Sequence, residues 1–329
     1  MIDLAGIYGR LGKPRKEAQV YEEIQSEGNI APELETSIAR SSLQLSPRST
    51  LEWVHLTQSG RDGAVDIRKN GIGTSIWVTP SLDTDVRIQY ENNRFSSDKA
   101  QESITSNRAM GEALVEFGES YELFGTFELE KFNISSETEP VYSAGIRGQL
   151  DDYASAFVKV KKELVYDTID AIRQGIYSQG FQTGLDIETV YGVMFGGEIG
   201  HYRYQDDVSQ NLLHLFTASR VFSDFSEWTL QYDYHYEAND TPDQIDRDGH
   251  VNDVYWHPKS FYDHFFSLNF EHNLGNLIKN GTGKSYFRLK NGVGVEKDAN
   301  LIYKGAVDIF LEKRAHEQLL GQLWLSQSE

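Results

Sequence analysis

From Trp228 to Asp240 the chain reads WTLQYDYHYEAND, so that Trp228, Leu230, Tyr232, Tyr234 and Tyr236 alternate with Thr229, Gln231, Asp233, His235 and Glu237. Side chains of an extended chain point alternately to opposite faces, and this period of two predicts a strand with one oily and one wet side. The pattern recurs. Val86, Ile88 and Tyr90 oppose Arg87, Gln89 and Glu91; Leu185 and Ile187 oppose Asp186 and Glu188; Phe266, Leu268 and Phe270 oppose Ser267, Asn269 and Glu271; Tyr303, Val307 and Ile309 oppose Lys304 and Asp308. Roughly fifteen candidate strands follow residue 46, from 50–58 and 64–78 through 180–189 and 264–274 to 300–312 and 317–326. Alternation is cleanest in the second half. Most candidates are as long as the 9 to 11 residues a tilted strand needs to cross hydrocarbon, against about 5 or 6 in globular sheets. Short connections such as Gly118 to Ser120 alternate with long polar ones such as Ala238 to Asp253. A soluble sandwich can turn the charges outward on any one strand, but strand length, number and aromatic content together, with the alternating connections, predict a mainly β fold, an antiparallel transmembrane β-barrel over 46–329.

Residues 1–45 have a helical period instead. Leu4, Ile7, Tyr8 and Leu11 share one face, Ala18, Tyr21 and Ile24 the next, and Gly12 to Arg15 make the turn between them. Pro32 opens a last helix running to about Gln44. Leu4, Ala5, Tyr8, Leu11, Gly12, Ala18 and Tyr21 resemble a tetratricopeptide repeat (TPR), and Leu4-Ala5 recurs as Ile38-Ala39 one repeat length later. An ordinary helical hairpin is the alternative. A TPR solenoid needs about three repeats to bury its core, so the helical part is expected to be the end of a longer repeat region.

Composition sharpens the membrane question. No apolar run reaches the roughly 18 residues of a membrane helix, yet a barrel crosses with half-polar strands and looks soluble by hydropathy. With no cysteine, disulfides, thiol chemistry and Cys-ligated metals are excluded. Tyr (18) and Phe (17) are abundant, as in the aromatic girdles of outer-membrane barrels. The net charge is -19. Only 5 of the 31 basic and 7 of the 50 acidic residues fall in 1–45, so the acidity belongs to the strand-rich part. It would repel a phosphate backbone and argues against nucleic acid. It is read either as colloidal repulsion or as an acidic channel.

Catalytic readings do not converge. Asp151-Asp152 and Asp206-Asp207 are adjacent pairs, which on a strand point to opposite faces and are better explained as turn or loop residues. The histidines form no His-Glu-x-x-His arrangement; His201 and His214, facing one another across neighbouring strands, read as lumen or interface groups rather than metal ligands. GTGKS at 281–285 lacks the earlier glycine and the strand-to-helix context of a phosphate loop. There is no Gly-x-Ser-x-Gly elbow. The expectation is a non-enzyme with no cofactor and no metal site.

Three further stretches stand apart: LVYDTIDAIRQGI from Leu164 to Ile176, HYRYQDDVSQN at 201–211, and DVYWHPKSFYDHFF from Asp253 to Phe266. Ile169, Ile172 and Ile176 give the first a helical period inside the strand pattern, either folded inward to narrow a pore or standing as an outer-loop helix. Together the three resemble the carboxy-terminal barrels of outer-membrane exporters of cellulose, poly-N-acetylglucosamine and related exopolysaccharides. Tyr204, Asp206 or Asp207, and Asn211 match that family's Tyr-Ser-Asp-Gly-Asn-like loop; Tyr255, Trp256, Pro258 and Tyr262 match its Tyr-Trp/Phe-Ser-Pro-x-x-Tyr-like segment. His257 replaces the usual Ser, and the Asp-Gly-Asn core is stretched to QDDVSQN.

The resemblance implies TPR helices in the periplasm and a barrel of about sixteen strands in the bacterial outer membrane, an even count as such barrels have. The end at LWLSQSE and the start without a secretory pattern then imply a missing last strand and a fragment without its signal peptide. The implied function is a porin exporting an exopolysaccharide from periplasm to cell surface through an acidic, water-filled lumen. Implied partners are a neutral or partly cationic polysaccharide, outer-membrane lipid, and periplasmic and inner-membrane synthase components. The substrate-binding set, in lumen or loops, is Asp186, Glu188, Glu198, Asp206, Asp207, Gln231, Asp233, His235, Glu237, Tyr255 and Trp256. Trp256 reads equally as an interface anchor. The rivals are another outer-membrane porin, the sheath of an electron conduit, or a soluble β-rich sugar-binding or adaptor module.

Overall fold

The computed structural model describes residues 2–10, 14–26, 34–35, 37–38, 41–42, 45–60, 65–98, 103–118, 120–134, 138–189, 191–205, 208–223, 226–239, 260–274, 285–296 and 301–314. Two helices open the chain, α1 (Ile2–Arg10) and α2 (Pro14–Ser26). Then come β1 (Arg48–Gly60), β2 (Val65–Ser81), β3 (Thr84–Ser96), β4 (Ile104–Phe117), β5 (Tyr121–Phe132), β6 (Thr138–Gln149) and β7 (Ala154–Leu164). A short helix, α3 (Ile169–Gln174), separates these from β8 (Tyr177–Glu188), β9 (Val193–Tyr204), β10 (Ser209–Ser223), β11 (Ser226–Asn239), β12 (Ser260–Asn273), β13 (Tyr286–Glu296) and β14 (Leu301–Arg314).

Each strand runs antiparallel to the next, and β14 returns to β1 with Leu51 opposite Leu311 and Val54 opposite Asp308. The fourteen strands form a closed barrel with no sheet edge left open. This corrects the expected count of about sixteen, because once β1 and β14 pair with each other a further strand has no edge to join. The candidate strand near 317–326 lies outside the described residues. Other boundaries move as well: β4 begins at Ile104, β8 at Tyr177 and β12 at Ser260, ahead of the expected starts at 108, 180 and 264. Strands run from 11 residues in β7 to 17 in β2.

The alternation sorts into outside and inside. On β11, Trp228 and Leu230 are exposed, whereas Glu237 on the opposite face is only 4% exposed. Ile72, Ile88, Phe127, Val158, Phe181, Phe195, Ile199, Phe266 and Val293 are also exposed on the outer face. So much apolar surface outside a polar interior inverts the arrangement of a water-soluble sandwich and matches a barrel set in hydrocarbon. Rings flank this belt: Trp228 packs on Phe270 with centroids 4.5 Å apart, and Phe117 stacks on Tyr121 at 5.4 Å.

The two ends differ. At one, β2–β3, β4–β5, β6–β7 and β8–β9 are joined by short turns, with Gly118 and Gly192 at φ 65 and 73. Left-handed backbone of that kind suits glycine. At the other end lie the connection carrying α3 and the long stretch between Asn239 and Ser260. The α1–α2 hairpin is held by Ala5, Val20, Tyr21, Ile24 and Leu34, with Tyr8 and Ile38 against them. Arg15, at the start of α2, moors it to the short-turn rim through ion pairs with Asp85 and, at 2.7 Å, Glu116. Of the helix expected from Pro32 to about Gln44, Leu34, Glu35, Ser37, Ile38, Ser41 and Ser42 are helical, and the remainder lies outside the described residues.

Candidate functional site: the barrel interior

Direct cross-strand pairing assembles the first constellation. Glu198 on β9 stands opposite His214 on β10, His214 opposite His235 on β11, and His235 opposite Asp263 on β12. All four point inward. His214 sits between two carboxylates, its Nε2 2.9 Å from Asp233 and its Nδ1 3.3 Å from Glu198. His235 is 3.1 Å from Glu237 and 3.5 Å from Asp263, and the two imidazoles meet edge-on with centroids 6.4 Å apart. Amide groups complete the wall: Gln231 donates to Asp233 at 2.7 Å and Gln210 to Glu237 at 3.1 Å. These groups line a cavity of about 520 Å³ that also touches Lys161, Lys290 and Lys304. Its polar contacts are many, similar and spread over several strands.

Of the residues singled out in the sequence, Glu198, Gln231, Asp233, His235 and Glu237 line this one cavity. Asp186 is on β8 opposite Gly196, nearer the short-turn end, and Glu188 is exposed at the end of β8. Asp206, Asp207, Tyr255 and Trp256 lie outside the described residues. The expected meeting of His201 and His214 does not occur. The register puts Asn211 opposite His201, which faces outward and bonds that residue at 2.9 Å, while His214 is on the inner face. A three-residue step along a strand changes face, and that parity was available in the sequence. Asp263 and the lysines were missed because their place depends on register between strands distant in sequence. Among the described residues, no three His, Asp or Glu side chains are arranged to hold a metal ion.

The wall from β2 to β6 is different. Arg108 bridges Glu91 at 3.2 Å and Glu128 at 2.6 Å, and Lys69 reaches Glu91 at 3.7 Å. Above these pairs, the inward residues Ile67, Phe95, Ile104, Phe132 and Val141 form an apolar shelf on which Leu164, Ile169 and Ile172 pack. The β7–β8 connection is therefore an arm folded into the barrel, which decides between the two sequence readings of Leu164 to Ile176. Its own bonds shape it: Ala171 N–H donates to Thr168 Oγ1 at 2.9 Å, and Gly175, at φ 64, closes the C-terminus. On the arm's other side Ala171 and Ile176 pack with Tyr204 and Val208. Tyr166 stacks on Phe95 at 5.5 Å and donates its hydroxyl to Glu130, which is 1% exposed and also accepts from Ser106. Burial first, then the neighbouring Glu130 carboxylate, pushes the Tyr166 phenol well above its ordinary value.

Neither a protein-family profile nor the sequence of a curated protein matches the chain. Solved structures do. The chain is similar to a bacterial polysaccharide outer membrane secretin at a TM-score of 0.57 and 11% identity, over 81% of this chain and 98% of that one. It is also similar to the CymD monoaromatic hydrocarbon channel, at a TM-score of 0.53 and 8% identity, over 88% and 94% of the two chains. At such identities the likeness establishes the fold, that of outer-membrane β-barrels.

Proposed function

We propose that this chain is an outer-membrane porin of an exopolysaccharide system, carrying a hydrated glycan from periplasm to cell surface. The observation that carries the reading is the open half of the lumen, where carboxylates, imidazoles and amides offer distributed hydrogen bonds along an acidic wall. A polymer moves through such a tube because no single contact is deep enough to hold it. The acidic excess favours a neutral or partly cationic polymer, for instance one with some free amines. The α1–α2 hairpin is the end of a periplasmic TPR region that meets the polymer as synthase components of the inner membrane deliver it. Its mooring on the short-turn rim, the end that faces the periplasm in barrels of this kind, supports that orientation. Outer-membrane lipid is the solvent of the outer belt. No catalytic step, cofactor or metal enters the reading.

The test is passage through liposomes holding the full chain. Oligosaccharides of N-acetylglucosamine and of glucosamine are expected to pass, with uronic-acid oligomers of equal length retarded. If ions and monosaccharides pass but no oligosaccharide does, the barrel is a small-solute porin. A chain that folds in plain buffer and never inserts would instead be the soluble β-rich module.

A further inference from the structure

Two of the three lysines that touch the cavity are drawn against its wall by rings, and the third, Lys290, has Asp233 and Asp308 as charged neighbours. Lys161 on β7, Gly180 on β8 and Tyr202 on β9 are direct cross-strand neighbours in one row. Because glycine puts no side chain between them, Lys161 Nζ lies over the Tyr202 ring, 4.7 Å from its centroid. The ring fills the vacated space: a Cβ on Gly180 would stand 2.8 Å from Tyr202 Cδ1. Tyr202 is 3% exposed, and its hydroxyl donates to Gln182 at 2.8 Å, which fixes the ring against the wall. The arrangement repeats across the cavity. Lys304 on β14 is opposite Gly292 on β13, and its Nζ reaches across to lie 5.3 Å from the centroid of Phe265 on β12. Phe265 is 7% exposed, with its Cζ 2.3 Å from where a Gly292 Cβ would be.

A cation over a ring face is attracted by the ring's quadrupole and loses part of its freedom to sample the water-filled space. Lys161 is further held by Glu163 at 2.6 Å. The carboxylates on the same cavity are instead partnered by imidazoles and amides that themselves face the lumen. We infer that Tyr202 and Phe265 are specificity-determining residues of the passage: with Gly180 and Gly292 they hold Lys161 and Lys304 flat against the wall, so that the charge met by a passing solute is negative. The inference rests on reading the barrel as a channel.

The experiment is the reversal potential of the full chain in a planar bilayer under a KCl gradient, with barrel folding checked by mobility of the unboiled protein on a denaturing gel. Wild type is expected to prefer K⁺ over Cl⁻. Tyr202→Leu and Phe265→Leu should each lower the permeability ratio about two- to five-fold, the range a single cation–ring contact spans. Adding Lys161→Gln to the first, or Lys304→Gln to the second, should restore it. Unchanged ratios in both ring variants, or a fall that persists after the lysine is neutralised, would overturn the inference. Should a ring variant not fold, Lys304→Gln alone decides: a small change supports a lysine already held out of the path, and a rise as large as five-fold contradicts it. Absence of any conductance from well-folded wild type overturns the channel reading itself, and this inference with it.

Discussion

The two halves of the barrel interior are built from the same alternating strands yet solve opposite problems. From β2 to β6, Lys69, Glu91, Arg108 and Glu128 pair among themselves beneath an apolar shelf, and the arm between β7 and β8 lies on that shelf. From β9 to β12, two imidazoles stand side by side between two carboxylates in a row that opens on the cavity of about 520 Å³. Charges that neutralise one another under a lid stiffen a wall. Charges left facing open water create a field in it. The difference teaches that net acidity alone does not describe the lumen, since much of it in the first half is already compensated.

The strongest way to break the comparison is to break the barrel that holds both halves. Leu230→Arg, on the outer face of β11, is expected to cost about 2–4 kcal/mol if it falls at the bilayer midplane, read as a lower unfolding midpoint in lipid vesicles. Equal damage from Asp233→Ala, one position class away on the inner face, would contradict the assignment of faces. A smaller effect comes from the arm. Tyr166→Phe removes a donor from buried Glu130 and should cost about 1–3 kcal/mol locally. The arm then becomes more accessible to protease at the end opposite the short turns, and single-channel conductance rises. The raised Tyr166 phenol adds a pH signature. Its proton is bound more tightly in the folded arm, so the contribution is fully present below the ordinary tyrosine value of about 10 and is lost as pH climbs through the higher folded value. Alkaline loosening of the arm should therefore be seen in wild type and lose this component in Tyr166→Phe.

Asp233→Ala probes the open half. It should leave the barrel folded, with a change on the order of 1 kcal/mol from the lost His214 contact, while lowering cation conductance. The smallest expected effect is that of Arg15→Gln. It frees the α1–α2 hairpin from Asp85 and Glu116 at a cost of about 0.2–1 kcal/mol, detectable as faster proteolysis between α2 and β1 with the barrel untouched.

The outer and inner faces of β11 were legible from its alternation, because lipid and lumen impose one parity along the whole strand. The first-half strands read less cleanly for a reason the arm supplies. Near the arm their inner face carries Ile67, Phe95, Ile104 and Phe132 while the outer face carries Asp66, Arg68, Arg94 and Lys131, so the oily and wet sides are exchanged relative to the rest of each strand. Ile169, Ile172 and Ile176 revealed a helical period, but its inward direction depends on those shelf residues, which come from earlier strands and look ordinary one at a time. The His214–His235–Asp263 row was hidden likewise, since no local pattern says which residues of adjacent strands meet. The strand count borrowed from family resemblance failed where closure, a property of the whole sheet, decides.

One feature at the opposite end bears on traffic through the molecule. Arg15 ties the helical hairpin to Asp85 at the start of β3 and Glu116 at the end of β4, both beneath the half that the arm obstructs. The hairpin is thus anchored at one side of the rim. On the proposed reading, cargo handed along those helices reaches the rim on that side and shifts toward the unobstructed lane, which makes the rim between β4 and β9 the threshold where loading and threading are coupled.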